Sequence, residues 1–293
     1  MRCTAAACWL HRRNMMLHMI RLAGIFACLA ILSPALHALP QQALVPGGIA
    51  VLEIEDYAPG TRITFDKRKV TVFKQDDNYY ALAGIPLSAK PGEYVFATKS
   101  GNGTIRDTRV QVTAKKYREQ RLTIKNKRKV NPNPEDNQRI ARERPLKLAA
   151  KTHWSDVYPD VDFIWPVTGE ISSIFGLRRF FNDQERSPHN GLDIAAAEGT
   201  PVKVAADGVV VETGDFFFSG NMVFVDHGHG LITLYAHLSR IDVKPGDSLR
   251  KGDVLGAVGQ TGRVTGAHLH FAVIANNILI DPVFFLPQLH SEK

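Results

Sequence analysis

The sequence predicts an all-β protein, a small N-terminal β-sandwich followed by a second, glycine-rich β region. Three observations carry that reading. Short alternating apolar and polar runs recur from Val45 to Ile124 between Pro-Gly, Asp-Asp-Asn and Gly-Asn-Gly punctuation. Turn formers again separate apolar runs from Phe163 onward, as in "AADGVV", "VDHGHGLI" and "VKPGDSLRKGDVLG". No long amphipathic helical pattern appears in that second region.

In chain order, residues 1–38 come first as a leader. Arg12, Arg13 and Arg21 precede the apolar run "LAGIFACLAILSPAL", which is shorter than the roughly 20 residues a spanning helix needs and is broken by Pro34. This is the layout of a secretory signal peptide, with cleavage expected after Ala38. An uncleaved segment would instead act as an N-terminal anchor and bring the protein to a membrane. All three cysteines lie in the leader, so a metal in the mature chain would have to be held by histidine and carboxylate.

Residues 45–124 form the expected sandwich, with "GIAVLEIED", "RITFD", "KVTVFKQDDNYYALAGI", "GEYVFATKS", "TRVQVTAKKY" and "QRLTI" as its strands. This stretch holds no histidine and no carboxylate cluster at ligand spacing, which points to binding, positioning or shielding rather than chemistry. Residues 125–158 read as a basic connector. Two Asn-Pro pairs break structure there, and Pro134-Glu135-Asp136 opens a short helix through Leu148. Residues 159–293 form the second β domain.

The formal charge of +7 is unevenly placed. Four arginines sit in the leader, leaving +3 for the rest, and the segment from Lys115 to Lys151 alone holds 13 Lys+Arg against 4 Asp+Glu. This is a local stripe on a solvated connector, and no nucleic-acid motif accompanies it, so nucleic acid is not an expected partner.

Chemistry concentrates in the second domain, where six of the 11 histidines fall between His189 and His270. In "GAHLHFAVIA" read as a strand, Ala267, Leu269, Phe271 and Val273 share one face and His268 and His270 the other. In "LITLYAHLSRI", Ile232, Leu234, Ala236 and Leu238 form the apolar face, with Tyr235 and His237 opposite. "HNGLD" adds His189 and Asp193. Catalytic zinc takes three protein ligands from His and Asp/Glu, so five candidates compete for three places, and the surplus suits proton handling beside the metal. A second His-x-His, His227 and His229 in "DHGHG", reads as a flexible hairpin tip rather than a ligand pair. No role is expected for His153 or His290.

The His-x-x-x-Asp of "HNGLD", the Tyr-x-His of "YAH" and the His-x-His of "HLH" together resemble the LytM/lysostaphin-like family of peptidoglycan zinc metalloendopeptidases. The likeness runs from about Phe163 to Leu286 and includes "FGLRR", "GTPVKVAADGVVV" and "VGQTGRVTGAHLHFAV". The preceding β domain and "LTIKNKRKVNPNPED" are similar to Gram-negative secreted members. The resemblance implies a LytM-type antiparallel β-sheet peptidase domain, Zn2+ held by His189, Asp193 and His270, and His237 and His268 as catalytic residues. It implies a periplasmic or cell-envelope enzyme with peptidoglycan as partner, cleaving its stems or cross-links at D-alanyl–diaminopimelate bonds. Arg178, Arg179, Arg186 and Arg263 are candidates for a cationic rim that would hold the substrate's carboxylates, although arginines on surface loops are more often merely solvated.

The rivals are a non-catalytic cell-wall binding or activator module of the same fold, a glycine-bridge endopeptidase, and a carrier domain suggested by "VKPGDSLRKGDVLGAVGQ". The intact ligand set argues against the first. The last gives no reason for five metal-type residues.

Overall fold

The computed structural model describes residues 39–288 apart from Pro59 and Asn102, so the leader and His290 lie outside the described residues. No helix among the described residues is long and apolar enough to cross a membrane.

The N-terminal region contains strands β1 (Ile49–Ile54), β2 (Arg62–Phe65), β3 (Arg68–Lys69), β4 (Thr71–Gln75), β5 (Asn78–Gly84), β6 (Gly92–Lys99) and β7 (Ile105–Val112). They make two antiparallel sheets, ordered β1-β5-β4 and β3-β2-β6-β7. Period-2 patterning turns Ala50, Ile54, Ile63, Phe65, Ala81, Ala83 and Phe96 inward, and these fill one apolar core. The tight turns place Asp56, Asp66, Lys67 and Asp76 at positive φ, a conformation that aspartate accepts more readily than branched residues do.

Strand β8 (Glu119–Leu122) departs from the sequence expectation. It contains most of "QRLTI", read above as the sandwich's last strand, yet it pairs in parallel with β10 (Arg178–Phe181), 59 residues on, and not with either sandwich sheet. A local alternation pattern identifies a strand but carries no information about its partner. After a 3-10 turn at Lys127–Lys129, helix α1 runs Pro134–Lys151, one turn past the expected end. Its start is built as the sequence suggests. Asn133 Oδ1 accepts from the Asp136 amide at 2.8 Å, Asp136 returns the bond to the Asn133 amide at 3.3 Å, and Pro134 needs no donor at that place.

The second region contributes β9 (Glu170–Ser173), β10, β11 (Gln184–Glu185), β12 (Leu192–Ala195), β13 (Pro201–Lys203), β14 (Gly208–Phe216), β15 (Gly220–Gly228), β16 (Leu231–Leu238), β17 (Arg240–Ile241), β18 (Ser248–Leu249), β19 (Val254–Ala257), β20 (His268–Ala275) and β21 (Ile278–Ile280). The main sheet has the order β18-β14-β15-β16-β20-β12-β9, with β21 also on β20, and its pairs are antiparallel.

Both faces of the central strands are covered, which explains why β16 is buried along its whole length. On one face Tyr235, Leu238, Leu269, Phe271 and Val273 join Phe163 and Leu192, and Ile49, Phe73 and Leu82 of the N-terminal strands belong to the same core. On the other, Phe224, Ile232, Leu234, Ala236, Ala272 and Ile274 pack with Ala150 of α1.

One detail of β16 corrects the alternation. Leu238 was expected beside Ala236, but it packs with Tyr235. His237 lies at φ 66° and turns the strand there, so the residue after it changes face.

Candidate metal centre

The centre sits on the α1-side face of the main sheet, where three strands bring their chemistry together. Strands β12 and β20 pair with Asp193 opposite His270, while Leu192, Ile194, Leu269 and Phe271 point into the core on the reverse face. Asp193, His268 and His270 therefore share the face that carries no core residue at those positions. Strand β16 lies on the other side of β20 with Ala236 opposite His270, which delivers His237 at the rim. The left-handed backbone of His237 is held by its amide, which donates to Ser219 O at 2.9 Å. A non-glycine residue kept in that region by its surroundings is a recurring mark of functional positions.

His189 arrives from the loop before β12. Its amide donates to Leu177 O and its carbonyl accepts from Gly176, each at 2.8 Å, which folds the loop back so that the ring meets Asp193 four residues later. Gly191 makes the approach possible. A Cβ there would lie 2.5 Å from Phe271 O and 2.7 Å from His270 Cε1, inside contact distance of backbone and ligand alike.

Three atoms converge. Asp193 Oδ1 lies 2.9 Å from His189 Nε2 and 2.7 Å from His270 Nδ1, and those two nitrogens are 3.1 Å apart. His189 Nδ1 is 2.7 Å from Ile174 O, an acceptor only, so that nitrogen carries the ring proton and Nε2 faces the cluster with a lone pair. Two ring nitrogens and a carboxylate oxygen, all buried and closely facing, fit a cation that takes nitrogen and oxygen ligands, such as Zn2+.

His268 and His237 stand beside this set, their rings 4.9 Å apart. His268 Nε2 is 3.8 Å from Asp193 Oδ1, and the rings of His237 and His270 are 5.9 Å apart. His237 donates from Nδ1 to Thr261 O at 2.8 Å and His268 from Nδ1 to Gly266 O at 2.9 Å, so each leaves Nε2 free to accept. The structure thus brings together all five residues singled out in the sequence. Tyr235 of "YAH" points away into the core, where its hydroxyl accepts from the Ala205 amide at 2.8 Å.

The electrostatics match the packing. Burial works against ionisation of Asp193, but the His189 and His270 imidazoles packed against it outweigh that and hold the carboxyl well below the usual carboxylate range. Burial lowers the His270 imidazole despite the bond to Asp193. Burial, reinforced by His270 and His268, pushes His237 down to about 3, so it is neutral at neutral pH. The second oxygen of Asp193 accepts from Arg179 Nη2 at 2.7 Å.

The four candidate rim arginines each have partners within the chain. Arg179 is the inward partner of Asp193. Arg178 is bound to Glu119 and Glu185, and Arg186 to Gln184, Asn131 and Val130 O. Arg263 is clasped between the Phe181 and Phe218 rings, 4.5 Å from each. The His227/His229 pair is not a free tip either. His227 is buried, donating from Nδ1 to Asp207 O at 2.7 Å with Nε2 2.8 Å from Thr233 Oγ1, and His229 stacks on Trp154. His153, for which no role is expected, lies 3.6 Å from Asp226. Two residues near the centre escaped the sequence reading. Ser173 contacts His189 Nδ1 at 3.1 Å, and Gln120 contacts Ser173 and Arg179.

The profile of Peptidase family M23 matches residues 187–282, and that of the Peptidase family M23 N-terminal domain matches residues 42–115. Peptidoglycan DD-endopeptidase ShyA of Vibrio cholerae is 47% identical over 118 residues, 40% of this chain and 26% of the relative. DD-carboxypeptidase/endopeptidase Mpg of Neisseria meningitidis is 44% identical over 113 residues, 39% of this chain and 26% of the relative. The aligned part thus spans about a quarter of the length of these curated relatives. A crystal structure of a candidate M23 peptidase from Pseudomonas aeruginosa superposes with a TM-score of 0.70 at 38% identity, covering 83% of this chain and 95% of that one. Since that likeness extends over nearly the whole of a solved M23 structure, and both halves of the chain match their own M23 profile, the chain belongs to peptidase family M23.

Proposed function

We propose that this protein is a zinc endopeptidase that hydrolyses the peptide cross-links of peptidoglycan at D-alanyl–diaminopimelate bonds, in the periplasm or cell envelope. The observation that carries the reading is the convergence of His189, Asp193 and His270 with two further imidazoles that hold Nε2 open beside them. The names of the relatives, both enzymes acting at DD bonds, supply the substrate class. The basic and apolar character of residues 1–38 is in keeping with export, and an uncleaved segment there would add membrane association.

His189, Asp193 and His270 would hold the ion. Zinc, when bound, supplies a Lewis acid that polarises a carbonyl and makes water more acidic. The rest falls to the chain. Arg179 balances the charge of Asp193 and keeps one carboxylate oxygen turned to the cluster. His237 and His268, fixed by Thr261 O and Gly266 O, take and return a proton at Nε2: one receives it from the attacking water, and the pair delivers it to the departing amine. The neutral state of His237 leaves that nitrogen ready to accept.

Cross-linked muropeptide dimers and pentaglycine, offered side by side to the zinc-loaded protein, test the assignment. Conversion of dimers to monomers with pentaglycine intact is the expected result. Cleavage of pentaglycine alone would overturn the bond assignment, and no cleavage of either would overturn the enzyme reading.

A further inference from the structure

We propose that Gln120, on the parallel strand β8 between the two β regions, is a positioning residue for the metal centre. This rests on the reading of His189, Asp193 and His270 as metal ligands. The pairing of β8 with β10 sets Gln120 opposite Arg179. Its Oε1 accepts from Arg179 Nε at 3.0 Å and from the Ser173 hydroxyl at 3.2 Å. Arg179 Nη2 continues to Asp193 Oδ2 at 2.7 Å and to Ser173 Oγ at 3.2 Å. Ser173 Oγ is 3.1 Å from His189 Nδ1. A single carbonyl oxygen thus anchors both groups that stand behind two of the three ligands.

The direction of the hydrogen bonds gives the arrangement its purpose. A serine hydroxyl has one proton to donate. Spending it on Gln120 leaves the Ser173 oxygen to accept from Arg179 and from His189 Nδ1–H, which keeps the ring proton on Nδ1 and the lone pair of Nε2 toward the cluster. Without Gln120 the hydroxyl is free to turn and offer its proton to His189, favouring the wrong tautomer. Ile174 O, 2.7 Å from the same Nδ1, still favours the right one, so the loss is partial. Ser173 is buried and Arg179 largely so, which keeps water from replacing the missing partner. Gln120, Ser173 and Arg179 all fall outside the stretches 42–115 and 187–282 matched by the two M23 profiles. The support for the ligands therefore comes partly from a strand that belongs to neither.

The test uses the full chain without substrate, measuring zinc affinity by chelator competition and the visible absorption of the cobalt form. Gln120→Ala should bind zinc about tenfold more weakly, with a changed cobalt band. Gln120→Glu, which keeps an acceptor oxygen, should restore most of the affinity. Arg121→Ala, the next residue on β8, which stacks on Phe180 rather than facing the centre, should bind as wild type. Should Gln120→Ala not fold, Ser173→Ala removes the relay hydroxyl without touching β8 and should weaken binding similarly. Unchanged affinity in Gln120→Ala, failure of Gln120→Glu to rescue, or an equal loss in Arg121→Ala would overturn the proposal. Because no substrate is present, these results are separable from the hydrolysis assay: an inactive but normally metallated protein would overturn the proposed function alone.

Discussion

His270 shows why residue type and spacing revealed so much of the centre. It alternates with core residues Leu269 and Phe271 on a strand, so its side chain had to leave the core face, and Asp193 is its direct cross-strand neighbour. His-x-His and His-x-x-x-Asp are local patterns, and local patterns survive in sequence. Arg179 is the opposite case. It reads as one of several loop arginines, and only the β8–β10 pairing turns it inward to Asp193. At this scale the division of labour between the histidines can be checked. His237→Ala and His268→Ala should retain bound zinc while kcat falls by about a hundredfold or more, the range general acid–base groups contribute. Zinc content and turnover measured on the same samples decide it, and a variant that loses the metal would belong among the ligands instead.

Among the elements, the β15–β16 hairpin departs most from expectation. Glycines flank its histidines, which suggested a mobile tip, yet the strands continue to Gly228 and His227 is enclosed. Glycine content signals conformational freedom only where no neighbour fills the space, and here Val157, Trp154 and Tyr158 cover the turn. Burial pushes the His227 imidazole below its usual range, because charging it would need water that cannot reach it. The unfolded chain takes up that proton near the ordinary 6.5, and the folded chain only at lower pH. The unfolded state then binds more protons as pH falls, so the contribution of neutral His227 is complete above 6.5 and is lost below it. Unfolding stability at pH 7.5 and 5.5 should fall more steeply in wild type than in His227→Gln, by up to about 1.4 kcal/mol over that unit below 6.5. Equal slopes would show that this histidine is not buried neutral.

Across the whole molecule the sequence disclosed composition and order better than association. It marked the two β regions, the connector helix and its Asn-Pro start, because each rests on short-range periodicity or capping chemistry. It did not disclose that Ile49, Phe73 and Leu82 of the first region enter the core of the second, nor that β8 leaves the sandwich for β10. Both depend on contacts far apart in the chain, where alternation gives a face but not a partner. The consequence is a centre whose ligands stand on β12, β20 and the loop before β12, backed on one face by that common core and on the edge by the connecting strand. The claim on which the rest depends is that His189, Asp193 and His270 hold one metal ion. Elemental analysis of the purified full-length protein, beside His189→Ala, Asp193→Ala and His270→Ala prepared identically and confirmed as folded, tests it most directly. One zinc per chain in wild type with near-complete loss in each variant is the predicted result. Wild-type protein without stoichiometric metal after zinc supplementation, or a variant that keeps its full complement, would contradict it.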